Sequence, residues 1–180
     1  TRDTAEHKQT EDRHRSFYMK FLNERNTRVM GGKASYVSGQ EASSEIENIR
    51  LAVHKAIEMG NISELGSSLN ILMYLYEILG LFEEAERIFG KISQRMAEAF
   101  RSPQDTAELS GCHYGRALMY HGWYCFRLAH FDRAIELTQM GLVMCRHHGD
   151  LEGYGLGLNS LGVFAREQGK EEPCGSVSHF

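Results

Sequence analysis

At 180 residues the chain is long enough for one domain or one short solenoid, and at 42% apolar residues it can fill a packed core, which argues against a disordered chain. A net charge of −4 supplies no global pull toward nucleic acid or an anionic membrane. The four cysteines, Cys112, Cys125, Cys145 and Cys174, form no Cys-x-x-Cys pair, so neither a disulfide framework nor a zinc ribbon is expected; with no signal peptide and no apolar run of bilayer length, a cytoplasmic location fits best.

Long runs rich in Leu, Met, Ala, Glu and Arg recur, alternating β-branched stretches are absent, and the two prolines, Pro103 and Pro173, fall where helices should stop. An all-α chain of about seven helices follows. Residues 1–12 are polar and charged, and fraying is expected there. From Arg13, helical spacing of Phe17, Tyr18, Phe21 and Leu22 predicts a first helix, ended by Met30-Gly-Gly32. A second helix over about 41–59 buries Ile46, Ile49, Val53, Ala56 and Ile57, so that 13–61 is a leading hairpin. The third, about 63–79, is apolar on nearly every side and must be sandwiched. The tight turn Gly80-Leu81 leads to a fourth helix with Ala85, Ile88, Phe89, Ile92 and Met96 on one stripe. A loop at 101–105 precedes helices over about 107–128, 132–147 and 151–168, and a tail over 170–180 follows.

The chain repeats itself. Gly80-Leu-Phe-Glu-Glu-Ala85 returns as Ala129-His-Phe-Asp-Arg-Ala134, with Ala85 and Ala134 49 residues apart. A third copy opens at Leu158-Asn-Ser-Leu-Gly162 and reaches Gly169, 40 residues after Ala129, then breaks off at Glu171, Pro173 and Cys174. A period in this range marks a helical repeat array, an architecture used mostly for binding. Small residues at Ala85, Gly122, Ala134 and Gly162 are expected to let helices approach closely.

Leu69, Leu72, Met73, Tyr76, Gly80, Phe82, Ala85 and Phe89, then Leu118, His121, Gly122, Cys125, Ala129, Phe131, Ala134 and Thr138, then Leu158, Leu161, Gly162, Ala165 and Gly169, resemble the tetratricopeptide repeat over roughly 62–169, the last copy incomplete. The leading segment, His14-Arg-Ser-Phe-Tyr-Met-Lys-Phe-Leu22 with Glu45–Val53 and Ala56–Asn61, is similar to the helical segment of bacterial regulators in which a STAND-type ATPase module and a winged helix precede a tetratricopeptide sensor array. The resemblance implies a right-handed superhelix of antiparallel hairpins and a non-catalytic protein-interaction or ligand-sensing module of a larger signal-transduction ATPase or transcriptional regulator. The alternative is a self-assembly module, since an incomplete last repeat exposes apolar surface and a homodimer would cover it.

Repeat phasing assigns a concave face to the first helices of the hairpins: Asn70, Tyr74 and Glu77, then Arg116, Met119, Trp123, Phe126 and Arg127, then Asn159, Val163 and Arg166. Aromatic and Arg side chains are the usual anchors of an interface, so a protein or peptide partner is expected, with Trp123 at the centre. Other motifs carry less. Met30-Gly-Gly-Lys-Ala-Ser35 lacks the spacing and the hydroxyl of a phosphate loop. His121 and Cys125 share a helical face, with His113 two turns earlier, but both stand at repeat core positions and a four-ligand zinc pattern is missing, so no metal and no other cofactor is expected. Gly-x-Ser-x-Gly and His-Glu-x-x-His are absent, and Glu83-Glu84 and Glu171-Glu172 read as solvated pairs, so no enzyme is expected. The basic residues Arg13, Arg15, Lys20, Arg25 and Arg28 are diluted by Asp12 and Glu24, and contact with neither nucleic acid nor membrane is expected.

Overall fold

The structure, a computed structural model, describes residues 2–26, 40–101 and 107–169. Every regular element among them is a helix: α1 (Arg2–Asn26), α2 (Ile46–Met59), α3 (Ile62–Leu79), α4 (Phe82–Phe100), α5 (Ala107–Arg127), α6 (Phe131–His147) and α7 (Leu151–Glu167), with one further helical turn at 40–44 leading into α2. No described helix is long and apolar enough to cross a membrane. The expectations for Met30-Gly-Gly32, Lys33, Pro103, Pro173, Cys174 and the tail from 170 lie outside the described residues.

The turns come from backbone chemistry. Gly60, Gly80, Gly149 and Gly169 take φ of 70°, 66°, 72° and 65°, the left-handed region that ends a helix at little cost when no Cβ is present. Beyond α3, the N–H of Gly80 donates to the Glu77 carbonyl and that of Leu81 to Tyr76. Ala129 holds the equivalent place after α5, with φ 63°, and the same pair of bonds returns from Ala129 to Phe126 and from His130 to Cys125. The repeat seen in the sequence is thus a repeat of backbone geometry, and Ala129 carries its one described strained alanine.

Short turns join α2 to α3, α3 to α4, α5 to α6 and α6 to α7, and side-chain contacts fix the register. Across α1 and α3, Arg15 pairs with Glu64, the Ser68 hydroxyl donates to Asn23, and Ile71 N–H donates to Asn26. Across α3 and α5, Tyr120 reaches Asn70, Tyr124 reaches the Met73 carbonyl and Arg127 reaches Glu77. Across α5 and α7, Arg116 reaches Glu152 and Trp123 lies by Phe164. In each set the numbers rise together, so the odd helices run parallel to one another. Arg50 to Glu84 and Arg95 to the Ile57 carbonyl show the same for α2 and α4. The odd helices form one layer and the even helices another, the arrangement a two-helix repeat produces.

The core runs between the layers. One cluster joins Met19 and Leu22 of α1, Ile49, Val53 and Ala56 of α2, Leu65 to Tyr76 of α3, and Ala85 to Met96 of α4. A second joins Leu118 and Cys125 to Ala134, Leu137 and Phe164. The stripes of α2 and α4 lie as the spacing indicates, with Ile46 only partly buried. Helix α1 corrects the expectation twice. It begins at Arg2, not after residue 12, and its polar first half is held to α2 by Lys55 and Glu11 at 2.9 Å. Its buried side is Arg15, Met19 and Leu22, while Phe17 is 63% exposed. Arg15 takes a core-facing place because Glu64 and Asp12 meet its guanidinium there.

Close helix approach depends on missing side chains. A Cβ at Gly115 would stand 3.0 Å from the Gly141 carbonyl, and one at Gly122 would stand 2.9 Å from the Ala134 carbonyl and 2.7 Å from Thr138 Oγ1. Ala85 and Ala134 are fully buried. Gly162 departs from the expected close approach: nothing lies within 4 Å of its Cβ position, since no described helix packs on that side of α7. The two glycines should therefore answer oppositely to alanine. Gly122→Ala meets backbone that cannot step aside and should destabilise by about 1–3 kcal/mol. Gly162→Ala gains helix propensity on an open face and should stabilise by about 0.5–1 kcal/mol. Thermal unfolding of the two variants in dilute solution checks this, and shifts of the same sign would refute the packing. In the same assay, Ala129→Gly should raise stability by about 1 kcal/mol through relief of the left-handed alanine.

Candidate recognition surface

The parallel register of α3, α5 and α7 brings the residues of the expected face into one row, but most of their polar groups hold one another. Trp123 Nε1 donates to Glu77 Oε2 at 3.1 Å, and the other Glu77 oxygen meets Arg127 at 3.2 Å. The Arg127 guanidinium lies 4.2 Å over the Phe82 ring, so the cation is held from two sides while its edge stays open. Asn70 accepts from the Tyr120 hydroxyl at 2.6 Å, and Tyr74, four residues further along α3, is half-buried. Trp123 is itself half-buried, its ring 6.1 Å from Phe126 and 6.2 Å from Phe164. Phe126 stacks on Phe164 at 4.3 Å and 20°. Asn159 and Arg166 stand exposed on α7, with Val163 half-buried between them.

Two residues of that face have other duties. Met119 is 3% exposed. Its side chain fills the space left by Gly141 and Gly157, each of whose Cβ positions would fall within 2.6 Å of the thioether chain. It is a core residue between α6 and α7 because two glycines there leave a gap that a flexible side chain fills. Arg116 is not a free charge. Its Nε and Nη2 bind both oxygens of Asp150 at 2.6 and 2.7 Å, and Nη2 also meets Glu152 at 2.8 Å. Asp150 caps α7 by accepting from Gly153 N–H at 3.0 Å. The Arg116 guanidinium, more than the cap, holds the Asp150 carboxyl below the usual carboxylate range, against the opposing effect of burial.

On the opposite side, α4 and α6 are separated by a groove floored by α5. Glu86, Lys91 and Gln94 line one wall, Arg133 and Met140 the other, and Tyr114, Leu118 and His121 the floor. There Glu86 Oε1 lies 3.3 Å from His121 Nε2, and the ligating atoms of Glu86, His121 and Cys125 all fall within 4.8 Å of one another. Burial lowers the His121 pKa, with Glu86 working against it, and pushes the Cys125 thiol up to about 11. Sequence spacing pairs His121 with Cys125; Glu86 belongs to another helix and no spacing signal reaches it. Burial pushes the Cys145 thiol up to about 12, and Cys125 and Cys145 are both outside any disulfide. Among known proteins, no family model, no curated protein and no solved structure matches the chain.

The Arg116–Asp150 pair ties α5 to the turn before α7. Asp150→Asn should cost about 3 kcal/mol at neutral pH, because it leaves a largely buried guanidinium short of its main counter-charge. The folded carboxyl titrates below its unfolded value of about 3.9, so the pair's contribution is complete above that value and fades as pH falls through the lower folded one. Urea unfolding at several pH values should show wild type and variant converging only in that acid range. A gap that stays constant down to strong acid would contradict the assignment.

Proposed function

We propose that the chain is a non-catalytic recognition segment of a tetratricopeptide-type right-handed superhelix, and that the layer of α1, α3, α5 and α7 presents its open face to a peptide or protein partner. The observation that carries the reading is the parallel register of α3, α5 and α7, which sets Tyr74 and Glu77, Trp123 and Arg127, and Val163 and Arg166 side by side across three helices. Their mutual bonds keep the rings and the guanidinium in place before a partner arrives, which lowers the entropy lost on binding. An aromatic plane with cations at one end suits a segment that carries an acidic residue beside an apolar one. The similarity of the α1–α2 segment to STAND-type regulators supports a place within a larger signalling ATPase or transcriptional regulator, where this array is the sensor or scaffold.

Trp123 is the single tryptophan, so its fluorescence reports on this face alone. Peptides selected on an array for binding the wild-type chain should shift that fluorescence. Arg127→Ala and Tyr74→Ala should weaken them by roughly tenfold or more, while Arg87→Ala, on the exposed side of α4, leaves affinity unchanged. Equal losses at Arg87 and Arg127, or binding with no change at Trp123, would sink the proposal.

A second reading, self-assembly, is favoured by α7. In α5 the series Gly115, Leu118, Gly122 is covered by α6, yet the same series at Gly155, Leu158, Gly162 lies open, with Leu158 51% exposed and Leu151 82% exposed. A second copy of the chain would cover it through its own α7. Sedimentation should then show a concentration-dependent dimer that Leu158→Asp abolishes; a monomer at all concentrations excludes it.

A further inference from the structure

The geometry points to a tetrahedral metal site at Glu86, His121 and Cys125, with Zn2+ the cation it suits and a water from the α4–α6 groove as fourth ligand. The site is independent of the recognition face and lies on the other side of α5.

Three observations carry it. First, the donor set is a carboxylate, an imidazole and a thiol, a combination of hard, borderline and soft ligands that zinc takes and that magnesium and calcium do not. Second, the distances are close to those of a bound state. Tetrahedral bonds of zinc to O, N and S hold the ligand atoms about 3.3–3.6 Å apart. His121 and Glu86 already stand at 3.3 Å, and all three donors lie within 4.8 Å, so rotation of the Glu86 and Cys125 side chains closes the site. Third, the scaffold is rigid where it needs to be. His121 and Cys125 are one turn apart on α5. Helix α4 is held against them by Phe89, stacked on Tyr124 at 5.5 Å and edge-on to Tyr120, and by Gly90, where a Cβ would come to 3.3 Å of the His121 ring.

The charges balance. A neutral imidazole, an ionised Glu86 and a Cys125 thiol bind Zn2+ with release of one proton from the thiol, and the resulting cluster is neutral overall, which suits its burial. Arg133 of α6 lines the same groove and favours the thiolate, and its own ion pair with Glu136 at 2.7 Å keeps it on the far wall. An open fourth position facing the groove leaves room for an exchangeable water, and the three protein ligands clamp α4 to α5 when the site is loaded.

The test uses the full chain after chelation and desalting in reductant free of thiols. Zn2+ titrated in competition with a chromogenic chelator should bind at one equivalent, with Mg2+ and Ca2+ failing to compete. Co2+ should give a sulfur-to-cobalt charge-transfer band together with the visible bands of tetrahedral coordination. Cys125→Ala should remove the charge-transfer band. Glu86→Gln, a change on a partly exposed carboxylate that leaves the fold intact, should weaken Zn2+ by about tenfold or more. Ala replacements of Cys112, Cys145 and Cys174 should leave spectrum and stoichiometry as they are. No charge-transfer band, a band that survives Cys125→Ala, a band lost with another cysteine, or unchanged affinity in Glu86→Gln would each overturn the site.

Discussion

Helix α5 touches α3, α4, α6 and α7, and it can do so because Gly111, Gly115 and Gly122 leave no side chain where α6 and its following turn come nearest. A Cβ at Gly111 would meet the His148 ring within 2.3 Å, one at Gly115 the Gly141 carbonyl, and one at Gly122 the Ala134 carbonyl. The last two are backbone contacts, so neither a rotamer change nor a small shift accommodates a larger residue. Glycine inside a helix costs about 1 kcal/mol against alanine. That cost is offset by the apolar area that close packing removes from water on both sides of α5, where Ala117, Leu118, Tyr124 and Cys125 are all buried. Once α5 is seated in this way, its two long faces are assigned: one completes the odd layer, the other floors the groove between α4 and α6.

Apolar packing alone tolerates slippage of parallel helices by a turn, and polar contacts between neighbouring helices of the odd layer remove that freedom. Arg15 with Glu64 sets α1 on α3; Asn70 with Tyr120 and Glu77 with Trp123 and Arg127 set α3 on α5; Arg116 with Asp150 and Glu152 sets α5 on α7. Buried ion pairs add little net stability over apolar replacements of the same shape, but breaking one leaves an uncompensated charge. Their effect is therefore on register. The row of side chains proposed to meet a partner is a consequence: the same bonds that hold the helices level also hold the rings and cations of the face.

Much of the architecture was legible in the sequence because helical repeats write their spacing into small residues. Gly80, Ala129 and Gly169, separated by 49 and 40 residues, share one left-handed turn geometry, and Ala85 and Ala134 are both buried. Helix α1 was read less well. Its polar start forms helix through contacts with α2 that lie more than 40 residues away, and the burial of Arg15 in place of Phe17 depends on Glu64 in α3. Phasing shows which residues of the proposed row share a helix face but not which of their side chains are already engaged. Met119 is buried because of two glycines on other helices, and Arg116 is engaged by an aspartate 34 residues on. Spacing shows which residues share a helix face; which of them are already paired is a property of the neighbouring helix.

The same limit explains why the sequence carried only part of the Glu86, His121 and Cys125 cluster. Two of its members are one turn apart and were visible as a pair at core positions; the third comes from α4, 35 residues earlier, across an antiparallel contact. The cluster and the recognition row occupy opposite sides of one helix. Trp123 lies between His121 and Cys125 in sequence, and two residues along a helix turn a side chain by about 200°. A cation held by His121, Cys125 and Glu86 therefore touches none of the row directly. It fixes α5 against α4, and α4 begins with Phe82, the ring beneath Arg127. The packing of α4 on α5, through Phe82 and Phe89 against Tyr120 and Tyr124, is therefore a route by which a metal on the groove side reaches the cation at the end of the proposed row.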